Sequence, residues 1–424
     1  MSETKYDVVV VGGGTAGVSC AWNCAKRCLK TLIIEQNSYL GGSITSSLVI
    51  PAMKTSDNSI NNDFFNVLYN KLYEFGGAIT YLDGNKGWMN PELVKITLDI
   101  LMEEAGVEVL FESHVSKILK KNNEILSIYI DSLYTDNNSD SLSLPIESKY
   151  YIDATGFGNF CQKLNCEILE NLKNNCQPIS LRFIMSGVNI KEFSDWLMAY
   201  DTDRDVTSSC TVDGYTYLST AYTWDNGKKW ALKPIFDKAI ADNCLTEQDS
   251  NYFQIFSVAG TPDSIAFNAP RILDNELLRS EAYKQGRMSI LRLSQFCKTY
   301  LPGFKNSYIS SIANSLGVRV SRRVKGKYVY TKDDLLQGKT FDTPVVISNY
   351  PIDIHSGEQN SSVLTKVERE YQLPVESLIV KNNLFVVGRC ISADFESQAA
   401  LRVIPSCFSM GEGLAKYLAE VVFP

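Results

Sequence analysis

A valine-rich strand that runs into a glycine turn, an aromatic-rich middle, and a tail that returns to strand, glycine and helix predict an α/β protein. The architecture is read as a Rossmann-like nucleotide-binding domain split by an inserted α+β substrate domain. At 424 residues the chain is long for one domain and can bury a sizeable core.

The first element spans 6–11. It is apolar apart from Asp7, as expected of a parallel strand buried on both faces. Gly12-Gly13-Gly14-Thr15-Ala16-Gly17 follows at once. A helix over 18–29 comes next, then a strand over 31–34 that ends at Glu35. A lone GxGxxG is weak evidence, but this order of elements is the context the motif requires. Gly12 permits the tight turn, Gly14 lets backbone approach a pyrophosphate, and Gly17 lets helix and strand pack closely. The helix N-terminus offers N–H groups and partial positive charge to the phosphates. Glu35 can accept hydrogen bonds from ribose hydroxyls, which disfavours a 2′-phosphate.

Gly41-Gly42, just past the acidic strand end, again allow backbone to approach a ligand closely. A nicotinamide-only enzyme does not need them there, whereas the bulkier FAD does. Residues 91–105 read as an amphipathic helix with proline in its first turn, ended by Gly106. Strands are predicted over 107–111, 115–119 and 125–130, followed by a polar loop over 131–143. A strand from Lys149 leads into the small-residue cluster Asp153-Ala154-Thr155-Gly156.

The middle carries Trp196, Trp224, Trp230 and Phe256, with strands over 180–185 and 252–258 and a long helix over 277–299. The tail offers a strand over 383–387, Gly388-Arg389, and a closing helix over 405–420. The expected organisation is therefore a nucleotide domain in 1–177, a substrate domain in 178–355, and a return to the first domain in 356–424.

A net charge of −7 and the lack of a basic, aromatic-interleaved run argue against nucleic acid as a partner. No targeting segment or membrane span is read, so the expected location is the cytoplasm. The eleven cysteines include no CxxC pair, and with two histidines no metal is expected. Cys20, Cys24 and Cys28 fall near one helix face and are read as small hydrophobes rather than as a thiol site.

These residues resemble the bacterial FAD-dependent oxidoreductase family of the glutathione-reductase-like superfamily. The likeness rests on the N-terminal turn with Glu35, Gly41 and Gly42, on Asp153-Ala154-Thr155-Gly156, and on later motifs in order. Those are Ser180-Leu181-Arg182-Phe183, Phe267-Asn268-Ala269-Pro270-Arg271, Leu316-Gly317-Val318-Arg319 with Ser321-Arg322-Arg323, Tyr350-Pro351-Ile352-Asp353-Ile354-His355, and Gly388-Arg389-Cys390 through Arg402-Val403. One departure is Phe157, where the family usually carries an acid. The resemblance implies FAD as cofactor. The expected contacts are Gly12, Gly14, Thr15, Ala16, Gly17, Glu35, Gly41, Gly42, Ser43, Thr45, Val115, Ala154, Thr155, Gly156, Gly388, Arg389 and Arg402.

In a flavin enzyme the cofactor carries the hydride, while the protein orients substrate and manages protons and charge. His355 is the best proton-transfer candidate, with Tyr350 and Asp353 to assist it. The alternative is a solvated loop histidine. His114 lies between two predicted strands and is read as structural or adenine-side. Arg319 and Arg322 are candidate anion clamps. A strand through them would put Arg319 and Arg323 on one face and Arg322 on the other. Cys390 is a weaker candidate for a redox thiol. The leading expectation is an FAD enzyme that oxidises or reduces a small polar metabolite. The competing ones are flavin-dependent chemistry without net redox and non-catalytic flavin binding. Oligomeric state is left open.

Overall fold

A computed structural model describes residues 5–132, 145–169, 177–222, 230–272, 279–355 and 362–422. Trp224 and most of the expected polar loop lie outside these residues.

The chain opens with β1 (Lys5–Val11), α1 (Thr15–Ala25) and β2 (Thr31–Ile34). β1 pairs in parallel with β2 and with β3 (Ile146–Asp153), so its valines are covered on both sides. The helix Pro91–Ala105 matches its expected span, because Asn90 caps its start and Gly106 ends it in the left-handed region. β4 (Leu384–Val386), from the far end of the chain, joins the free side of β3 in parallel. These strands form the centre of an eight-stranded sheet.

The closing helix Ile404–Val422 lies on α1. Ser19 Oγ donates to the Phe408 carbonyl over 2.7 Å. A methyl at Gly411 would sit 2.3 Å from the Ala16 carbonyl oxygen, so the contact needs a residue without a side chain.

A second, six-stranded sheet is antiparallel throughout and drawn entirely from the middle of the chain. Its strands are Phe183–Ser186, Thr207–Val212, Tyr215–Tyr222, Phe253–Ser257, Ile265–Phe267 and Tyr308–Ile312. The architecture is thus the mixed α/β class that the sequence predicts. Among the described residues, no helix is long and apolar enough to cross a membrane.

Several expectations are corrected. The helix expected over 18–29 begins at Thr15, because the turn residues themselves form its first coil, and ends at Ala25 before Cys28 takes a positive φ of 62°. Cys20 and Cys24 are buried in the helix packing, but Cys28 lies past its end and is exposed. The single strand expected over 180–185 is two. Ile179–Ser180 pairs with Arg271–Ile272, and Phe183–Ser186 pairs with the larger sheet. The segment holding Arg319 and Arg322 does not form the strand considered for it; it is irregular backbone between two isolated bridges, Ser180 to Gly317 and Ile168 to Val324. The long helix runs over Arg279–Tyr300, and its expected start at 277–278 lies outside the described residues.

Candidate active site

A cavity of about 1380 Å³ runs from the glycine turn to the segment 349–355. It exceeds the usual size of a site for one small ligand.

At one end, α1 presents its N-terminus. Gly14 is the N-cap, with no side-chain cap and no acidic residue in the first turn, and Gly14, Thr15 and Ala16 line the cavity at the positive end of the helix. Gly12 has φ of +107°, and a methyl there would meet the Ala154 carbonyl oxygen at 2.6 Å. A methyl on Gly17 would collide with the Gly12 carbonyl at 2.1 Å. At Gly14 the nearest such protein atom is 3.9 Å away, which leaves room for a ligand group against bare backbone.

Glu35 closes β2. Its Oε2 accepts from Gly13 N–H at 2.7 Å, and its Oε1 from the Asn37 backbone and side chain at 2.8 and 2.7 Å. The Gln36 backbone also acts on this carboxylate. Burial raises its pKa, against the pull of those donors. Buried Asp153 shapes the facing turn by accepting from Thr155 N–H, Thr155 Oγ1 and Cys161 N–H at 3.0, 2.7 and 2.8 Å.

Most of the expected cofactor contacts line this cavity: Gly12, Gly14, Thr15, Ala16, Glu35, Gly42, Ser43, Val115, Ala154, Thr155, Gly156, Gly388, Arg389 and Arg402. Gly17, Gly41 and Thr45 do not. Gly17 packs the helix against the turn, Gly41 N–H donates to the Gly13 carbonyl, and Thr45 Oγ1 donates to the Leu40 carbonyl. Ser46, not singled out from sequence, lines the cavity with a buried hydroxyl that meets no protein partner among the described residues. His114 lines the wall beside Val115, with its side chain largely exposed.

The other end is built around the strand Ile352–His355. Asp353 and His355 stand two residues apart and share a face. His355 is 6 % exposed, its Nε2 3.1 Å from Asp353 Oδ1, and its ring meets Tyr252 edge-on. The solvated-loop alternative for His355 therefore does not hold. Burial, then the charges of Arg271 and Arg319, pull its pKa well below the ordinary value despite Asp353. Burial alone would raise Asp353, but His355, Arg402 and Arg319 outweigh it and hold the carboxyl well below the usual range. Arg402 Nη2 lies 3.2 Å from Asp353 Oδ2. Tyr350 also lines the cavity, with its phenol pushed up by burial.

Arg319 lines this end, but Arg322 does not. Arg322 Nη1 lies 3.3 Å from both the Phe157 carbonyl and Asn159 Oδ1, outside the cavity wall. Cys390 is also outside the wall and fully buried, and burial raises its thiol pKa well above the ordinary value. Phe157 has a partner that explains its chemistry: the Arg389 guanidinium lies 4.9 Å from its ring centre, a cation–π contact. Arg182, Tyr252, Gln254 and Asn268 line the cavity too and were not assigned to the site from sequence. Arg182 carried a signal, a lone charge inside an apolar run.

Comparison with known proteins bears on this geometry. Over 162 residues the chain is 28% identical to a thiamine thiazole synthase from Aeropyrum pernix, covering 36% of this chain and 55% of that one. It is 24% identical to a digeranylgeranylglycerophospholipid reductase from Sulfolobus acidocaldarius, covering 47% of this chain and 45% of that protein. The chain thus spans about half the length of these relatives. A geranylgeranyl bacteriochlorophyll reductase-like protein from Thermoplasma acidophilum aligns over 99% of this chain and 79% of its own, at 14% identity and a TM-score of 0.48. The match to the FAD dependent oxidoreductase family runs over residues 7–420, from β1 into the closing helix. The bare helix N-terminus, the glycine cradle and the buried acid fit such a cofactor. The protein belongs to the FAD-dependent oxidoreductase family: it is an enzyme, and FAD is its cofactor.

Proposed function

We propose that this protein oxidises or reduces a small polar metabolite at the end of the cavity walled by His355, Asp353 and Tyr350, with 178–355 serving as the substrate domain. The observation that carries this reading is the continuity of one cavity from the Gly14 cradle to His355. Bound FAD supplies hydride transfer at flavin N5, which no side chain can provide.

The residues of the chain divide the remaining work. The α1 N-terminus and Gly12, Gly14 and Gly42 would hold the pyrophosphate, and Glu35 would take a ribose hydroxyl. Asp353, itself held by Arg402, fixes the orientation of the His355 ring. His355, kept neutral by its surroundings, accepts the proton that leaves the substrate as its hydride departs, and returns it in the reverse direction. The Tyr350 phenol stays protonated and can donate a hydrogen bond to a substrate oxygen. The substrates of the curated relatives are not carried over to this chain.

The test is His355→Ala. Retained FAD with flavin reduction slowed by about 10²–10⁴-fold supports the assignment. An unchanged rate removes His355 from the mechanism.

A further inference from the structure

The end of the cavity near His355 gathers several arginines among the described residues. Three backbone segments run side by side there. Ser180 pairs with Arg271 on one side, and on the other exchanges backbone hydrogen bonds with Gly317 of 3.1 and 2.7 Å. Both pairings are antiparallel, and Arg182, Arg319 and Arg402 all line the cavity, with Arg271 close enough to act on Arg319. Arg402 arrives from the C-terminal end of the helix Phe395–Leu401. Asp353 is a carboxylate that acts on Arg271 and Arg402. Among the described residues the guanidinium groups here outnumber the carboxylates shown to act on them.

Several donors of this cluster are idle. Arg182 Nε, Arg402 Nε, and Arg271 Nε and Nη2 are buried and meet no protein partner among the described residues; neither does Gln177 Nε2 beside His355. Other guanidinium atoms are anchored. Arg319 Nη1 donates to the Pro178 carbonyl at 2.6 Å, Arg182 Nη1 to the Leu48 carbonyl at 3.3 Å, and Arg271 stacks 3.4 Å from the Tyr252 ring centre. The forks are thus held in place while part of each remains unpaired. Leaving such donors buried without an acceptor is costly, and burying like charges together more so. The strain shows in the groups themselves: burial pulls the Arg182 pKa down to about 10, and burial plus its three arginine neighbours pulls Arg319 well below the ordinary value.

We propose that the substrate of this enzyme is a small dicarboxylate, bound with its two carboxylates among Arg182, Arg319 and Arg402 and with Arg271 adding charge from behind Tyr252. This deepens the oxidoreductase reading and rests on it. Planar guanidinium forks match carboxylates in two-pronged fashion. A phosphate is the poorer fit. Phosphate sites favour helix N-termini and backbone nests, whereas Arg402 stands at a helix C-terminus, the negative end of its dipole. The arginines also come from separate segments, which suits two spaced anionic groups rather than one.

The test titrates the FAD-loaded enzyme with succinate, malonate, acetate and inorganic phosphate, reading flavin absorbance and melting temperature. Succinate or malonate should give a saturable spectral change and a raised melting temperature at concentrations about 10- to 100-fold below acetate and phosphate. Arg319→Gln should erase that preference, and Arg182→Lys should keep the charge but lose part of it. If a variant fails to fold, the selectivity of the wild-type protein decides alone. Acetate or phosphate binding as well as the diacids, or no diacid binding, overturns the proposal. A protein that holds FAD, ignores the diacids and still reduces its flavin with another substrate overturns only this inference. A flavin that no substrate reduces overturns the reading beneath it.

Discussion

Asp353 Oδ1 lies 3.1 Å from His355 Nε2, while its other oxygen lies 3.2 Å from Arg402 Nη2. One carboxylate therefore holds a buried imidazole and a buried guanidinium at once. The pair can form because a strand puts residues two apart on one face. Replacing the acid by Asp353→Asn should free the ring and leave Arg402 uncompensated. The expected cost is about 3–5 kcal/mol of stability, the scale for breaking a buried charge pair from one side. Denaturant melts of wild type and variant measure it; an equal midpoint contradicts the arrangement.

Acid sensitivity follows from the same pair. Asp353 titrates below its ordinary range when folded, so its contribution to stability is complete above pH about 4 and is lost as pH falls further. His355 is also lowered, so the folded state binds its proton later than the unfolded chain does, and stability falls as pH drops through about 6.5 and below. Melting temperature against pH should fall at the acid side, and His355→Ala should flatten the limb that begins near 6.5.

The rate profile carries a separate expectation. A histidine that stays neutral at pH 7 is available as a base without first losing a proton. The rate of flavin reduction should show no break near the ordinary histidine pKa of about 6.5. A wild-type break there, absent from His355→Ala, would show that the ring titrates as if it were in solution.

Gly12 and Gly14 should separate fold from ligand. Gly12→Ala meets both a left-handed φ of +107° and the Ala154 carbonyl at 2.6 Å, and should destabilise the protein itself. Gly14→Ala meets no protein atom closer than 3.9 Å. It should leave apoprotein melting unchanged and weaken FAD by about tenfold, the scale of one hydrogen bond to a charged group. Equal losses of stability in the two variants would deny Gly14 a place against the cofactor.

Cys390 should be silent. It is fully buried, with its thiol held protonated by burial, and it lies outside the cavity wall. Cys390→Ala should reduce its flavin at the wild-type rate, as rapid-mixing kinetics would record.

Much of the nucleotide half was legible because its signals are local. Proline, Asn90 and Gly106 mark both ends of the helix Pro91–Ala105 within the chain itself. The strand Thr31–Ile34 shows its apolar run and its acid. The substrate end was harder. Arg182 was hidden because residues 179–186 serve two different partners, which no run of apolar residues reveals. Arg322 was grouped with Arg319 because the two are close in sequence, but its contacts to Phe157 and Asn159 depend on tertiary packing that sequence proximity does not show. The Asp353–His355 pair was readable in principle, since Ile-Asp-Ile-His alternates as a strand should.

The most direct measurement is the flavin spectrum of the purified enzyme, followed without oxygen as small polar metabolites are added. The account predicts that a substrate bleaches the flavin, and that His355→Ala slows this by about 10²–10⁴-fold while keeping FAD. Substrate turnover with a flavin that never bleaches, and with no need for an external acceptor, would contradict it and leave chemistry without net redox in its place.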